Sequence, residues 1–409
     1  MNNTFGEAGD IMTNEQCFFL TILADFLHNR KTLPNNGLDW TSIVQYAKSH
    51  QVEGIVCHQC REYLARQPEL RDIYELLEKA QIATLFFYKN NQFAYNELKR
   101  VLNEKKIPFI SVKGMDVASL YPVPEYRTMG DLDIVIHTED SERIHDVMTG
   151  LGYKQGEGER VKTYGRGTTK IEIHNHLLND DNLEIALRKK FFNRCWEYVS
   201  DEEESYILDW NFHFLYLVEH AKQHFSANGA GFRQFMDIAV VTMNKKGLDW
   251  KWIENELKKT GLWEFAITAF AFCKKWWNIE TPFDIKDLDE EFYLESTEFV
   301  FKNGVFGFNN ENASAHMVEK QMRISSLPKV FHSIYVAVKK VCISYDTAMT
   351  LPYCSFARNK KYLLPYVWIY RVVYVLVKKK GHIMKAVRLV FGSGAVIDNH
   401  RRLMDHWGI

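Results

Sequence analysis

The sequence predicts an α+β protein, with a small mixed β-sheet at residues 107–180 set between helical regions. Three observations predict it. Apolar residues recur at helical spacing through 13–105 and again after about 182. Between 107 and 177 the pattern shifts to short apolar runs and alternation. Turn formers (Pro122, Pro124, Gly130, Gly165 and Gly167) cut that stretch into short pieces. The expected organisation is an N-terminal helical region 1–106, the sheet core 107–180, a helical domain 181–280 completing a cleft, and a basic, mainly helical region 281–409.

The elements follow in order. Residues 39–64 keep helical spacing, and Asp39 or Thr41 stands where a cap is needed. Residues 75–106 read as one long amphipathic helix ending in a basic turn. IPFISV (107–112) is a buried strand with Pro108 near its start. A helix is expected over 114–121, a loop over 122–130 and a second strand over 131–137. Residues 138–153 predict a helix with Thr138 as N-cap, an acidic first turn and a closing glycine. Residues 161–177 predict a hairpin turning at Gly165 and Gly167. From about 182 the chain reads as helical, with segments at 210–225 and 231–246 and two more within 248–277. Residues 281–316 are acidic and irregular.

Composition narrows the function class. The 409 residues suffice for two or three domains, and 46% hydrophobic with 25% charged content is that of a soluble globular protein. The net charge of −1 hides an asymmetry: residues 320–409 carry 16 Lys and Arg against 3 Asp and Glu. Such a basic quarter suits an anionic partner, or neutralises the acidic remainder of the chain. Seven cysteines give no disulfide framework and fit a reducing cytoplasm. The polar, acidic start is no signal peptide, and no apolar run is long enough to span a bilayer. Residues 362–380, aromatic and ending in three lysines, suit either a packed element or an anionic membrane surface.

The chemistry concentrates in 107–136. A Lys113-Gly114 turn follows the first strand, and Arg127 precedes Asp131 and Asp133 at the start of the second. Residues i and i+2 of a strand share a face, so both carboxylates reach one ion. Mg²⁺, with Mn²⁺ as an alternative, is commonly held by one or two carboxylates plus substrate phosphates. Two such ions clamp the attacking and leaving oxygens of an in-line displacement. Glu172, in the second hairpin arm, is the expected third carboxylate. Gly114 allows close backbone approach to phosphate, the helix after it offers free N–H groups, and Lys113 or Arg127 supplies positive charge. A second Asp-Leu-Asp at 287–289 lacks both glycine turn and following strand, and reads as a solvated acidic turn.

Together these residues resemble the DNA polymerase β-like nucleotidyltransferase superfamily, and more closely a bacterial family of uncharacterised nucleotidyltransferases. The resemblance covers roughly 35–280, including Ile171-Glu172-Ile173-His174 and the His- and Arg-bearing helices after 210. It implies a polymerase β-like core, with metal roles for Asp131 and Asp133 and a third acidic role for Glu172. One position departs: Met115 stands where the superfamily's glycine turn usually has a small hydroxyl residue, so Lys113 is expected to take over that phosphate contact.

Several other groups bear on the cleft. His220 and His224 share a helix face, but Ala221 stands where a zinc-protease helix needs Glu. With Arg233, Asp237 and His174 they are expected to line the cleft. Cys57 and Cys60 have no second cysteine pair to complete a zinc site, and no G-x-S-x-G marks a serine hydrolase. The expected activity is Mg²⁺-dependent transfer of a nucleoside monophosphate from a nucleoside triphosphate to an acceptor, with release of pyrophosphate. The acceptor is left open among small molecule, sugar, protein and RNA. The alternatives are a non-catalytic nucleotide- or anion-binding regulatory or assembly protein, favoured by Met115, and a toxin-like enzyme modifying transfer RNA, favoured by the basic quarter.

Overall fold

The computed structural model describes residues 12–156, 161–178, 186–202, 205–305, 342, 345, 348, 354, 357, 360–370 and 394–409. It forms two compact units, one comprising Met1–Phe225, Ala230–Phe306 and Gly408, the other Ser226–Gly229, Gly307–Trp407 and Ile409. In the second unit a small cluster gathers Ala348, Cys354, Ala357 and Val367. Most of the basic quarter 320–409, and of the aromatic segment 362–380, lies outside the described residues.

The first unit opens with helices. A capping box between Thr13 and Gln16 starts α1 (Asn14–Leu27). The stretch expected as one helix from 39 to 64 is two, α2 (Trp40–His50) and α3 (Glu53–Leu64). Gln51 breaks it in the left-handed conformation, φ 56°. Asp39 caps α2 by accepting from the Thr41 N–H. Then α4 (Arg71–Glu104) runs for 34 residues. Its buried residues Leu77, Gln81, Tyr88, Asn91, Ala94, Leu98 and Leu102 recur at steps of three or four except for one step of seven from Gln81 to Tyr88, so one face is covered continuously from Tyr88 to Leu102.

The sheet is mixed and has seven strands: β1 (Phe109–Val112), β2 (Leu132–Ile136), β3 (Lys154–Gln155), β4 (Lys162–Arg166), β5 (Thr169–His174), β6 (Val199–Glu202) and β7 (Ser205–Leu208). Its order is β3-β4-β5-β2-β1-β7-β6. β1 is antiparallel to β2, and β5 is parallel to β2 with Asp133 opposite Glu172. The β6–β7 hairpin corrects the purely helical expectation after 182. Its strands are four residues each, with β6 at the sheet's edge and mostly polar, so they carry little alternation to read.

One face of the sheet is core. Phe109, Leu132, Ile134, Ile136, Ile171 and Ile173 point into it and are buried. Ala94, Leu98 and Leu102 of α4 cover them, joined by Ile144, Val147 and Met148 of α6 (Ser141–Gly150). The turn ahead of α6 differs from expectation. Thr138–Asp140 form a 3₁₀ turn, and Thr138 makes no cap. The opposite face carries polar residues of the same strands.

The remaining described helices are α5 (Gly114–Ala118), α7 (Ala186–Phe192), α8 (Trp210–Asn228), α9 (Phe232–Asn244), α10 (Trp250–Lys259), α11 (Trp263–Trp277), α12 (Glu290–Asn303) and α13 (Gly394–His406). The acidic turn at 287–289 is the start of α12, where Asp289 accepts from the Phe292 N–H. That helix lies in the segment expected to be irregular. Among the described residues no helix is long and apolar enough to cross a membrane.

Ile134 is fully buried at the centre of the sheet core. Ile134→Ala should therefore cost about 2–5 kcal/mol, the range for emptying such a site. Urea denaturation measures it, with an unchanged slope expected.

Candidate active site

Strand alternation builds the site. On β2 the odd-numbered Asp133 faces away from the core that takes Leu132 and Ile134, and Asp131 precedes the strand on the same side. Parallel pairing sets Glu172 of β5 beside Asp133, with Lys170 and His174 two residues either way on the same face.

Asp133, Glu172 and His174 form a cluster whose ligand atoms all lie within 4.8 Å of one another. His174 Nε2 is 3.0 Å from Asp133 Oδ1 and 3.7 Å from Glu172 Oε2. Asp131 stands outside this cluster. Lys170 Nζ reaches its Oδ2 at 3.5 Å and also pairs with Glu172. The sequence singled out Asp131, Asp133 and Glu172 as a trio. The structure gathers Asp133 and Glu172 around His174, with Asp131 at the margin.

Asp133 is 8% exposed in a strand buried throughout. Burial opposes its ionisation, but the Lys113 ammonium and the hydrogen bond with His174 hold its carboxyl well below the ordinary range. Asp131 moves the other way: burial, then the charges of Asp133 and Glu172, raise it.

Lys113 is the main counterion, its Nζ 2.9 Å from Asp133 Oδ2. Burial lowers its basicity, yet Asp133 and the neighbouring groups leave it raised. Its backbone stands at φ 60° and ψ −110°, a region that side chains avoid at a cost of about 1–3 kcal/mol. Two contacts offset that strain: the ion pair itself, and the Lys113 N–H donating to His213 Nε2 at 2.9 Å. An accepting Nε2 is unprotonated, which makes His213 a neutral imidazole. Burial, then the charges of Arg127 and Lys113, hold its pKa down at about 3. No sequence signal marked His213.

Gly114 follows at φ +33°, with only the tip of Leu132 near where a Cβ would stand. The helix it starts is shorter than expected, ending at Ala118. With five residues, the local N–H groups matter more than any macrodipole. Arg127, expected to face phosphate, has its donors engaged elsewhere. Nε and Nη2 bond the two oxygens of Asp237 at 2.8 Å each, and Nη1 donates to the Gly114 carbonyl at 3.1 Å. Both partners are buried. Burial opposes ionisation of Asp237, but Arg127 and the Tyr121 hydroxyl keep its carboxyl low. Arg233 donates to Gln51 Oε1 and to the carbonyl and hydroxyl of Thr128, each at 2.9 Å.

His220 and His224 bring their Nε2 atoms to 3.1 Å of each other. Burial, then Lys113, pushes both pKa values down, His224 to about 4. They are neutral groups within the electrostatic reach of Asp133, outside the carboxylate cluster. Cys57 and Cys60 are buried thiols.

Two carboxylates and one imidazole fit a divalent cation. The carboxylates suit Mg²⁺ or Mn²⁺, and the imidazole is a better partner for a transition ion than for Mg²⁺. Residues 36–278 match a family model described as "Uncharacterised nucleotidyltransferase". The chain matches no curated protein and no solved structure.

Asp237→Ala should cost about 3–5 kcal/mol in urea denaturation, because it strands a buried guanidinium. The double variant Arg127→Met/Asp237→Leu should lose less than that single variant. A second expectation concerns acid. The unfolded chain protonates His213 near its ordinary 6.5, whereas the fold refuses the proton down to about 3. The contribution of this group is therefore complete above about pH 6.5 and lost progressively as pH falls towards 3. His213→Gln keeps an acceptor for the Lys113 N–H and removes the titration. Its urea midpoint should fall less steeply across that window than the wild type's.

Proposed function

The chain belongs to this family of uncharacterised nucleotidyltransferases, and from that premise we propose that it moves a nucleoside monophosphate from a nucleoside triphosphate to an acceptor hydroxyl, releasing pyrophosphate. The observation that carries the site assignment is the cluster of Asp133, Glu172 and His174 beside the Lys113-Gly114 turn. We read residues 107–180 as a polymerase β-like core, flanked by helices on both sides in the chain.

Asp133, Glu172 and His174 would hold Mg²⁺ or Mn²⁺, with Asp131 as a further carboxylate for a second ion. The cation they would hold would supply Lewis-acid polarisation of phosphoryl oxygens. The chain's own residues do the rest. The Gly114 turn lets backbone N–H groups approach the phosphates, and Arg127 fixes that turn from behind through the Gly114 carbonyl. Lys113 exchanges its contact with Asp133 for a phosphate oxygen, the role that the missing hydroxyl at Met115 leaves open. The acceptor oxygen attacks the α-phosphorus, the bond to the β-phosphate bridge breaks, and pyrophosphate leaves. Glu172 takes the hydroxyl proton.

A second reading rests on a specific observation. Lys113 and Lys170 between them pair with all three carboxylates, so much of the negative charge on this face is already offset, as it would be in a protein that binds without turnover.

The test supplies each α-labelled nucleoside triphosphate in total lysate with Mg²⁺ or Mn²⁺. Wild type should move label into product, and Asp133→Ala should lose transfer by on the order of a hundredfold or more. Full activity in both Asp133→Ala and Asp131→Ala would sink the assignment. No transfer by wild type with any of the four would favour the binding reading.

A further inference from the structure

A cavity of about 380 Å³ opens between α4, the start of α3 and the loop ahead of β2. The size is at the lower end for small-molecule sites. Apolar Ala80, Phe87 and Met129 share its walls with Gln51, Thr84 and Asn91. Phe87 is 45% exposed there, an aromatic face open to a ligand.

Its place along the sheet says what it can hold. β1 is antiparallel to β2, and β5 is parallel to it, so three junctions lie along one edge in the order β1, β2, β5. Lys113-Gly114 leaves β1 there, Gly130-Asp131 enters β2, and Thr168 enters β5. Gly130 and Thr168 line the cavity, while Lys113 and Gly114 do not. Attacking and leaving oxygens stand on opposite sides of the phosphorus in a displacement. With pyrophosphate at the β1 junction, the attacking group arrives from the β5 side, where the cavity lies.

The charges narrow the ligand. Arg127 lines the cavity, but Asp237 and Gly114 take its donors. Lys89, beside Tyr88, is paired with Glu125 at 3.3 Å. Arg233 stands behind Gln51 and Thr128 and is not part of the lining. Glu53 lines the cavity, and among the described residues it has no ion pair. Of the two charged residues in the lining, Arg127 is spent on Asp237, which leaves the Glu53 carboxylate next to aromatic faces that suit sugar rings or ammonium groups.

We propose that this cavity binds the acceptor, and that the acceptor is a neutral or cationic, hydroxyl-bearing small molecule of about one or two rings. The proposal rests on the nucleotidyl-transfer reading and adds to it the substrate class.

The test uses the full chain and hydrogen exchange. The probe is the low-mass fraction of an extract from the producing cells, freed of macromolecules and split by ion exchange into anionic, neutral and cationic pools. The neutral or cationic pool should protect the amides of 127–130 and 166–169. Ala83→Trp, at an exposed helix position on the cavity wall, should abolish that protection with an unchanged urea midpoint. Glu53→Gln should remove any preference for cationic over neutral ligand. With labelled triphosphate, the protecting pool should accept label, and Ala83→Trp should lower that transfer about tenfold. Protection by the anionic pool alone, by no pool, or undiminished in Ala83→Trp overturns the proposal, as does label appearing only in RNA or protein. Protection with no transfer by wild type overturns the acceptor assignment through the nucleotidyl-transfer reading itself, which separates the two failures.

Discussion

A carboxylate in the middle of a buried strand is the constraint around which this face is arranged. Asp133 cannot stay ionised there without compensation, since an isolated buried charge costs several kcal/mol. Lys113 and His174 supply it from the two neighbouring strand ends. For Lys113 to do so, the chain must turn sharply out of β1, and the turn puts a lysine backbone where glycine would be comfortable. His213 then becomes necessary as an acceptor for the displaced Lys113 N–H. One buried charge thus explains a strained residue and a neutral imidazole far along the chain.

The second anchor is Arg127 with Asp237. It ties the loop before β2 to α9 and fastens the carbonyl of Gly114, so the two sequence turns flanking the carboxylates are held by a single guanidinium. Buried ion pairs add little net stability, because desolvation cancels most of the attraction. Their merit is geometric: a bidentate fork fixes orientation as well as distance. Rigidity in these turns suits the close approach to phosphate proposed for this face.

Much of this arrangement could be read from residue order. Alternation placed Asp131 and Asp133 on one side of a strand, and the run Ile-Val-Ile after them placed the core on the other. The hairpin glycines located β4 and β5, and Glu172 does stand opposite Asp133. What was not readable depends on long-range pairing. Arg127 and Asp237 are 110 residues apart, and neither carries a local sign of the other. His213 lies in an apolar helix where a histidine has no pattern to break. Lys170 escaped notice although the same alternation that marked Glu172 puts it on that face. The break at Gln51 was hidden because the apolar spacing continues across it, and the β6–β7 hairpin because its four-residue strands are too short to show alternation.

The two lysines differ in a way that orders events on the proposed reading. Lys113 is 13% exposed at its side chain and gripped by backbone, ion pair and the ring of Tyr216. Lys170 is 44% exposed, and its partners Glu172 and Asp131 are 22% and 36% exposed. Surface pairs of that kind are worth about 0–1 kcal/mol and cost little to break. Were a cation held by Asp133, Glu172 and His174, Lys170 would be the counterion that gives way, releasing Glu172 and Asp131 as it moves into solvent. Lys113 cannot leave in the same way. On the proposed reading it would swing within the site, from Asp133 to an incoming phosphate, and so keep its charge beside the group that would carry the most negative charge during transfer. The exposed lysine keeps the carboxylates compatible with the fold when nothing is bound, and the buried one remains when substrate arrives.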